Sequence, residues 1–293
     1  MVFPLVVGID GSDSSLLAVD WAVEEAARHG LPLRLVHASL WERYEKGLPS
    51  FRTERSAEEV MAQHVIASCT QRARLRRPGA EVSGEVLPDD AVHVLLAAGR
   101  EAFALVVGSR GRGETAGLLL GSVSLAVAGR AVCPVLVVRG AEPNRRGEFG
   151  RVVVGVGDPT GGSGAVRFAV REAAVRGSPL TAVRAWRSPA HELTDHGAGD
   201  AADPPGRVHE ERAVDRLGDA LRGLGREHPG VEIHRVPVEG PGHRVLLEAS
   251  AEADLVVVGA RRRHGHFGLQ IGRVAHALLH HAQCPVAVVP QPV

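Results

Sequence analysis

Leu105-Val106-Val107-Gly108-Ser109-Arg110-Gly111-Arg112-Gly113, continued by Gly121-Ser122-Val123-Ser124, is the stretch that decides the fold. An apolar run breaks into glycines, and a Gly-Ser pair then opens an apolar segment of helical character. Strand, glycine-rich loop and helix start is how a parallel α/β domain builds a phosphate site. Glycine admits close backbone approach, and the unpaired N–H groups of a helix start supply donors and partial positive charge. The spacing is Gly-x2-Gly-x9-Gly-Ser. Taken alone it is also what a surface turn looks like. What surrounds it, and a damaged copy later in the chain, give it more weight.

The copy is part of a repeat. Gly8-Ile9-Asp10 answers to Gly155-Val156-Gly157, and Leu33–Ala38 to Leu180–Ala185. Val94-Leu95-Leu96 answers to Val245-Leu246-Leu247, Leu105–Gly108 to Val256–Gly259, and Cys133-Pro134-Val135 to Cys284-Pro285-Val286. From the third pair on, the offset is constant. The pattern divides the chain into domains at 1–140 and 151–293, with the polar stretch 141–150 as linker.

Each half alternates strands and helices. In the first, Phe3–Ile9 is an apolar run of the kind buried on both faces of a sheet. Gly11-Ser12-Asp13-Ser14 offers turn and N-cap chemistry, Leu16, Val19, Val23 and Ala26 follow at helical spacing, and Gly30 stops the helix. The expected order continues with strand Leu33–Ala38, a polar loop from Leu40 to Arg55, helix Ala57–Arg76 and strand Val82–Leu87. Helix Asp89–Arg100, strand Ala104–Gly108, helix Ser122–Gly129 and strand Pro134–Val138 complete it. Such alternation predicts two α/β domains, each a doubly wound five-stranded parallel sheet with right-handed crossovers. Ligands then sit beyond the carboxyl ends of the strands, at the switch point, where the loops after strands one and four meet. Asp10 and the 108–124 loop should face one crevice. The apolar terminal strands Val135–Val138 and Val286–Val289 need covering at a sheet edge, by each other or by another chain.

The totals exclude several classes. With 293 residues and 44% hydrophobics, the chain can fill two cores, and it lacks a membrane-length apolar run. Lysine plus arginine balances aspartate plus glutamate at 34 each, so no global field favours nucleic acid or membrane. Lys46 is the sole lysine, and no lysine-dependent P-loop string exists. Cys69, Cys133 and Cys284 are too scattered for a disulfide framework, and the opening residues lack a signal-peptide pattern. The expected setting is the cytoplasm.

Val7-Gly8-Ile9-Asp10-Gly11-Ser12, Leu35-Val36-His37-Ala38, the glycine loop through Ser124 and Cys133-Pro134-Val135 together resemble the universal stress protein family in its tandem two-domain form. The resemblance implies a Rossmann-like fold of the adenine nucleotide α-hydrolase kind, ATP (with Mg as companion ion) in the switch-point crevice, and a homodimer, often through strand five. It implies a regulatory role in the stress response. Carried over by position, Asp10, beside Gly8, holds the adenosine end, and the main chain of Ala38 meets adenine. Gly108, Gly111 and Gly121 cradle the phosphates, with Ser122, Val123 and Ser124 at the helix start and Arg112 and Gly113 inside the loop. Arg112 would give phosphate charge-assisted hydrogen bonds.

The second half departs from this pattern. Gly157 stands for Asp10, with an acid displaced to Asp158. Arg262 stands for Gly111, Arg273 for Ser122 and Ala275 for Ser124, while Gly259 and Gly272 remain. The second site is therefore expected to have lost ordinary ATP binding, and to be empty, filled by its own arginines or adapted to a smaller anion.

Other features have plainer readings. The histidines 264, 266, 276, 280 and 281 lack a completing ligand set and read as solvated; Cys133 and Cys284 read as buried and inert; 188–206 reads as a mobile loop. No catalytic residue or metal site is assigned. Two other functions stay open: a slow ATPase or nucleotidyl-transfer enzyme, for which Asp89, Asp90 and Glu114 are the available acids, and a nucleotide-independent dimeric scaffold.

Overall fold

The computed structural model describes residues 2–40, 57–111, 119–157, 164–188, 206–261 and 271–291. They form a first unit built on Met1–Gly140 and a second built on Ala141–His264 and Gly272–Val293.

In the first unit the elements run β1 (Leu5–Gly8), α1 (Asp13–His29), β2 (Leu33–Ala38), α2 (Ala57–Arg76), β3 (Val82–Leu87), α3 (Ala91–Ala98), β4 (Ala104–Gly108), α4 (Ser122–Arg130) and β5 (Val135–Val138). The strands are all parallel, in the order β3-β2-β1-β4-β5. Leu5, Val6, Leu105 and Val106 are fully buried, as their unbroken apolar runs require. Each such side chain contributes about 1.5–3 kcal/mol on leaving water. Crossovers from β1 to β3 step one way and those from β3 to β5 step the other. Right-handedness therefore puts α1 and α2 on one face and α3 and α4 on the opposite face. The order reverses between β1 and β4, so the crevice opens there, at the carboxyl ends.

Local chemistry sets the element ends. Ser12 caps α1, its side chain accepting from the Ser15 N–H, and Gly30 ends the helix in the left-handed region at φ 62°. Asp90 caps α3, so that helix starts two residues later than the sequence pattern suggests, and it closes through a short 3-10 turn, Gly99–Glu101. Phe3, expected in the first strand, is half exposed and precedes it.

The second unit repeats the plan. Its elements are β6 (Val152–Gly155), α6 (Gly164–Arg176), β7 (Leu180–Trp186), α7 (Arg207–Ala220), α8 (Leu224–Glu227), β8 (Ile233–Glu239), α9 (Gly242–Ala249), β9 (Leu255–Arg261), α10 (Arg273–His281) and β10 (Val286–Gln291). These strands also run parallel, ordered β8-β7-β6-β9-β10.

The stretch read as a linker is folded. Residues Glu142–Arg146 form a short helix, α5, with Pro143 in its first turn and Gly147 ending it at φ 78°. Asn144 is 2% exposed, and its side-chain nitrogen donates to the carbonyls of Ser250, Ala251 and Ala253 at 3.3, 3.0 and 2.8 Å. Asp254 completes the attachment: Oδ1 accepts from the Phe149 N–H and Oδ2 from the Arg151 N–H, both at 3.0 Å. Residues 144–151 thus belong to the second unit's hydrogen-bond network, through partners about a hundred residues away.

Candidate functional site

The chain leaves β1 at Ile9-Asp10 and turns at Gly11, whose φ of 80° suits glycine. Asp10 Oδ1 accepts from the Ser12 N–H at 2.9 Å and from the Ser12 hydroxyl at 2.6 Å. One carboxylate oxygen is thereby committed to the turn that starts α1. The other faces the glycine loop: a side chain on Gly111 would begin 2.8 Å from Asp10 Oδ2. Capping and convergence on the loop are both present, one on each oxygen.

The loop is held from both sides. The Arg110 N–H donates to the Ser14 hydroxyl at 3.1 Å, and the Gly121 N–H donates to the Ser109 carbonyl at 2.8 Å. Gly121 therefore sits against Arg110 and Gly111, with its own missing side chain 3.6 Å from the nearest of their atoms. It is the N-cap of α4, and no side chain caps that end. Ser122 is exposed and Val123 half-buried in the first turn of α4, so the helix start faces the loop with its N–H donors and dipole. Ala38 lies half-buried at the carboxyl end of β2, whose neighbour is β1. The two strand ends are tied where His37 Nδ1 meets the Ile9 carbonyl at 2.7 Å.

The structure thus brings together Asp10, Gly111, Gly121, Ser122 and Val123, with Ala38 one strand over. Arg112 and Gly113 lie outside the described residues, as do the polar loop 41–56 and most of 188–206. Three members of the expected set do other work. Gly8 exists for packing, because a side chain there would start 2.9 Å from the Leu95 side chain. Gly108 is buried, and its side chain would start 2.5 Å from the Ser14 hydroxyl and 2.6 Å from the Ser14 carbonyl. It lets the first turn of α1 lie against the end of β4. Ser124 is 6% exposed and donates its hydroxyl to the Gly108 carbonyl at 2.7 Å, so it fixes the loop's root. Ser14, read from the sequence only as part of a turn and N-cap run, is the side chain that holds the loop to α1. The Asp-Gly-Ser-x-Ser run around it was visible, but not which serine would reach a loop almost a hundred residues on.

Behind the site, Cys69 is buried in α2. Burial pushes its thiol from an ordinary 9.0 up to about 11; nearby Arg72 opposes the shift, and Asp10 and Asp20 add to it. Burial lifts Cys133 likewise to about 11 against two backbone hydrogen bonds. These thiols stay protonated in the folded chain while the unfolded chain ionises near pH 9. Their contribution to stability is therefore complete below pH 9 and is lost as pH rises toward about 11. At pH 8 the folded protein should leave Cys69 and Cys133 unmodified by iodoacetamide for hours, with rapid labelling once denaturant is added. Peptide mass spectrometry reads this directly, and fast labelling of either thiol in native buffer would contradict the assignment.

The second unit has a crevice at the same place in its fold. A cavity of about 610 Å³ lies at the carboxyl ends of β6, β7 and β9. Among the described residues, nothing lies within 4 Å of the missing side chain of Gly157. Arg184, in the place of His37, donates to the Val156 carbonyl at 3.1 Å, so it repeats the His37 anchor with a permanent charge. Arg273 is exposed at the start of α10, and Ala275 is buried. Arg262, Asp158, His264 and His266 lie outside the described residues, while the His276 and His280 rings stack at 4.4 Å. The exchange has a steric logic. In the first unit an acid crowds any side chain at Gly111; in the second the acid has become Gly157 and the glycine Arg262.

Comparison with known proteins is consistent across the whole chain. The sequence profile of the Universal stress protein family matches residues 1–139 and again 148–290. A universal stress protein of Mycobacterium tuberculosis is 32% identical over 293 residues, covering 97% of this chain and 95% of its own length. One of Mycobacterium bovis is 33% identical over 306 residues, covering 97% and 94%. Among solved structures, a universal stress protein from Archaeoglobus fulgidus superposes with a TM-score of 0.66 at 19% identity, covering 98% of both chains.

Proposed function

The chain belongs to the universal stress protein family, as two tandem copies, and from that premise we propose that its first unit binds one ATP and acts as a nucleotide-dependent regulator of the stress response. The observation that carries the reading is the meeting of the Asp10 carboxylate with Gly111, next to the uncapped start of α4. Asp10 Oδ2 accepts hydrogen bonds from the ribose. The backbone at Ala38 lines the adenine, and the N–H groups around Gly111, Gly121, Ser122 and Val123 take the phosphates. Arg112 would add a cation, and Mg would enter as the companion of the triphosphate. Gly111 fits this role because its missing side chain leaves room beside the carboxylate.

A binder is favoured over a phosphoryl-transfer enzyme by the state of the available acids. Asp90 Oδ1 caps α3 by accepting from the N–H groups of Val92 and His93, Asp89 Oδ1 accepts from the Asp90 N–H, and Glu114 lies outside the described residues. A homodimer in the cytoplasm completes the proposal; no helix among the described residues is long and apolar enough to cross a membrane.

Calorimetric titration of the whole chain with ATP tests it. The expected result is one site per chain. Two equivalent sites would refute the asymmetry between repeats, and no heat or competition at millimolar ATP would refute binding.

A further inference from the structure

We infer that the crevice of the second unit is a binding site for a small amphiphilic carboxylic acid, an apolar body bearing one anionic head, and not for a nucleotide. A volume of about 610 Å³ is ample for an organic ligand of moderate size. Its walls are largely aliphatic: Val156, Val183, Ala185, Leu224, Leu246 and Val274 line it. Arg167, Arg184, Arg216 and Arg222 also line it, against the acids Asp219 and Glu227. The lining therefore carries a net positive charge on an apolar ground.

Three observations turn this crevice away from nucleotides. Gly157 supplies no carboxylate where the first unit has Asp10 to receive a ribose. The phosphate end is filled from within. Gln291 is 5% exposed, and its amide nitrogen lies 2.9 Å from where a Gly259 side chain would start and 3.5 Å from the corresponding point at Gly164. It wedges between the end of β9 and the start of α6, in the region that Gly108 and Ser14 occupy in the first unit. Finally, Arg262 replaces the glycine that admits close backbone approach.

What the second unit gains is Arg184. The guanidinium is half-buried, donates to the Val156 carbonyl and lines the crevice. A planar guanidinium pairs with a carboxylate through parallel N–H bonds, and low dielectric strengthens that pairing. Asp219 is paired with Arg222, and Glu227 opposes a second negative charge on the ligand, which favours a single-charged head.

The test is calorimetric titration of the full chain with decanoate, with decanamide as the uncharged match, in the presence of saturating ATP. Decanoate should bind once per chain, about tenfold or more tighter than decanamide, without displacement by ATP. Arg184→His restores the residue of the first repeat and keeps an anchor for the Val156 carbonyl. It should melt with the parent protein yet lose about tenfold in decanoate affinity at pH 8. If Arg184→His melts low, Arg184→Gln is used in its place, with the same expected loss. Absence of decanoate binding at millimolar concentration, equal binding of decanamide, displacement by ATP, or full affinity in a folded Arg184 variant would each overturn the inference. Failure of ATP to bind the first unit would leave these readouts unchanged, so the two readings fail separately.

Discussion

Gly111→Arg is expected to abolish nucleotide binding by the first unit, lowering affinity for ATP by at least about a hundredfold. The substitution writes the residue of the second repeat, Arg262, into the first. Its side chain would begin 2.8 Å from Asp10 Oδ2, closer than a real side-chain carbon approaches, so carboxylate or loop must shift. The new guanidinium would then pair with Asp10 and take the acceptor away from ribose. Hydrogen bonds to a charged group are worth about 1.5–3 kcal/mol each, and a hundredfold corresponds to about 2.8 kcal/mol. Losing the ribose contact and the backbone approach to phosphate together reaches that figure. Gly111→Ala should cost far less, about tenfold or under, because the atom it meets is the far end of a side chain and not backbone. The double variant Asp10→Gly with Gly111→Arg reproduces the second repeat's pair. It should bind no worse than Gly111→Arg alone, since the two positions share one contact. Titration calorimetry measures all four proteins, and affinity in Gly111→Arg within a few-fold of the parent would remove the basis for the site.

Gly108→Val should clearly destabilise the first unit. The added side chain would start 2.5 to 2.7 Å from the hydroxyl, carbonyl oxygen and carbonyl carbon of Ser14. Two of these are backbone atoms in the first turn of α1, and they can move only if the helix moves. Overpacking of this kind costs about 1–3 kcal/mol and more where backbone must yield. At about 2–4 °C per kcal/mol for a domain of this size, the first unit's transition should fall by roughly 10 °C in scanning calorimetry. Gly121→Ala is the control. Its side chain would meet nothing nearer than 3.6 Å, and the melt should be unchanged. Equal melting of Gly108→Val and the parent would mean that the glycine serves the ligand after all.

These two glycines mark where sequence reading succeeds and where it stops. Strand positions such as Val6 and Val106 announce themselves, because a strand buried on both faces is apolar throughout. The switch point follows from strand order, and with it the approach of Asp10 to the loop. Gly108 was read as making room for phosphate, and the structure shows that it makes room for α1. Periodicity says that a glycine is needed without saying what comes close to it. Ser124 was legible as a helix-start hydroxyl, but its acceptor, the Gly108 carbonyl, is a tertiary fact. The open crevice of the second unit was illegible for the same reason: motif loss reports which ligand has gone, and cavity volume depends on how Leu246, Leu224 and Val183 are spaced.

The attachment of residues 144–151 to 250–254 has a bearing on how the protein is made. Asn144 and its first acceptor, the Ser250 carbonyl, are 106 residues apart. At about 5–20 residues per second, translation leaves Asn144 waiting roughly 5–20 s for that partner to be synthesised. The five strands of the first unit have all been made by then, so the leading copy can collapse while the trailing one is still incomplete. The late arrival of 250–254 then ties down a segment made long before it, so the second repeat reaches back to its own beginning just before its last two strands are made.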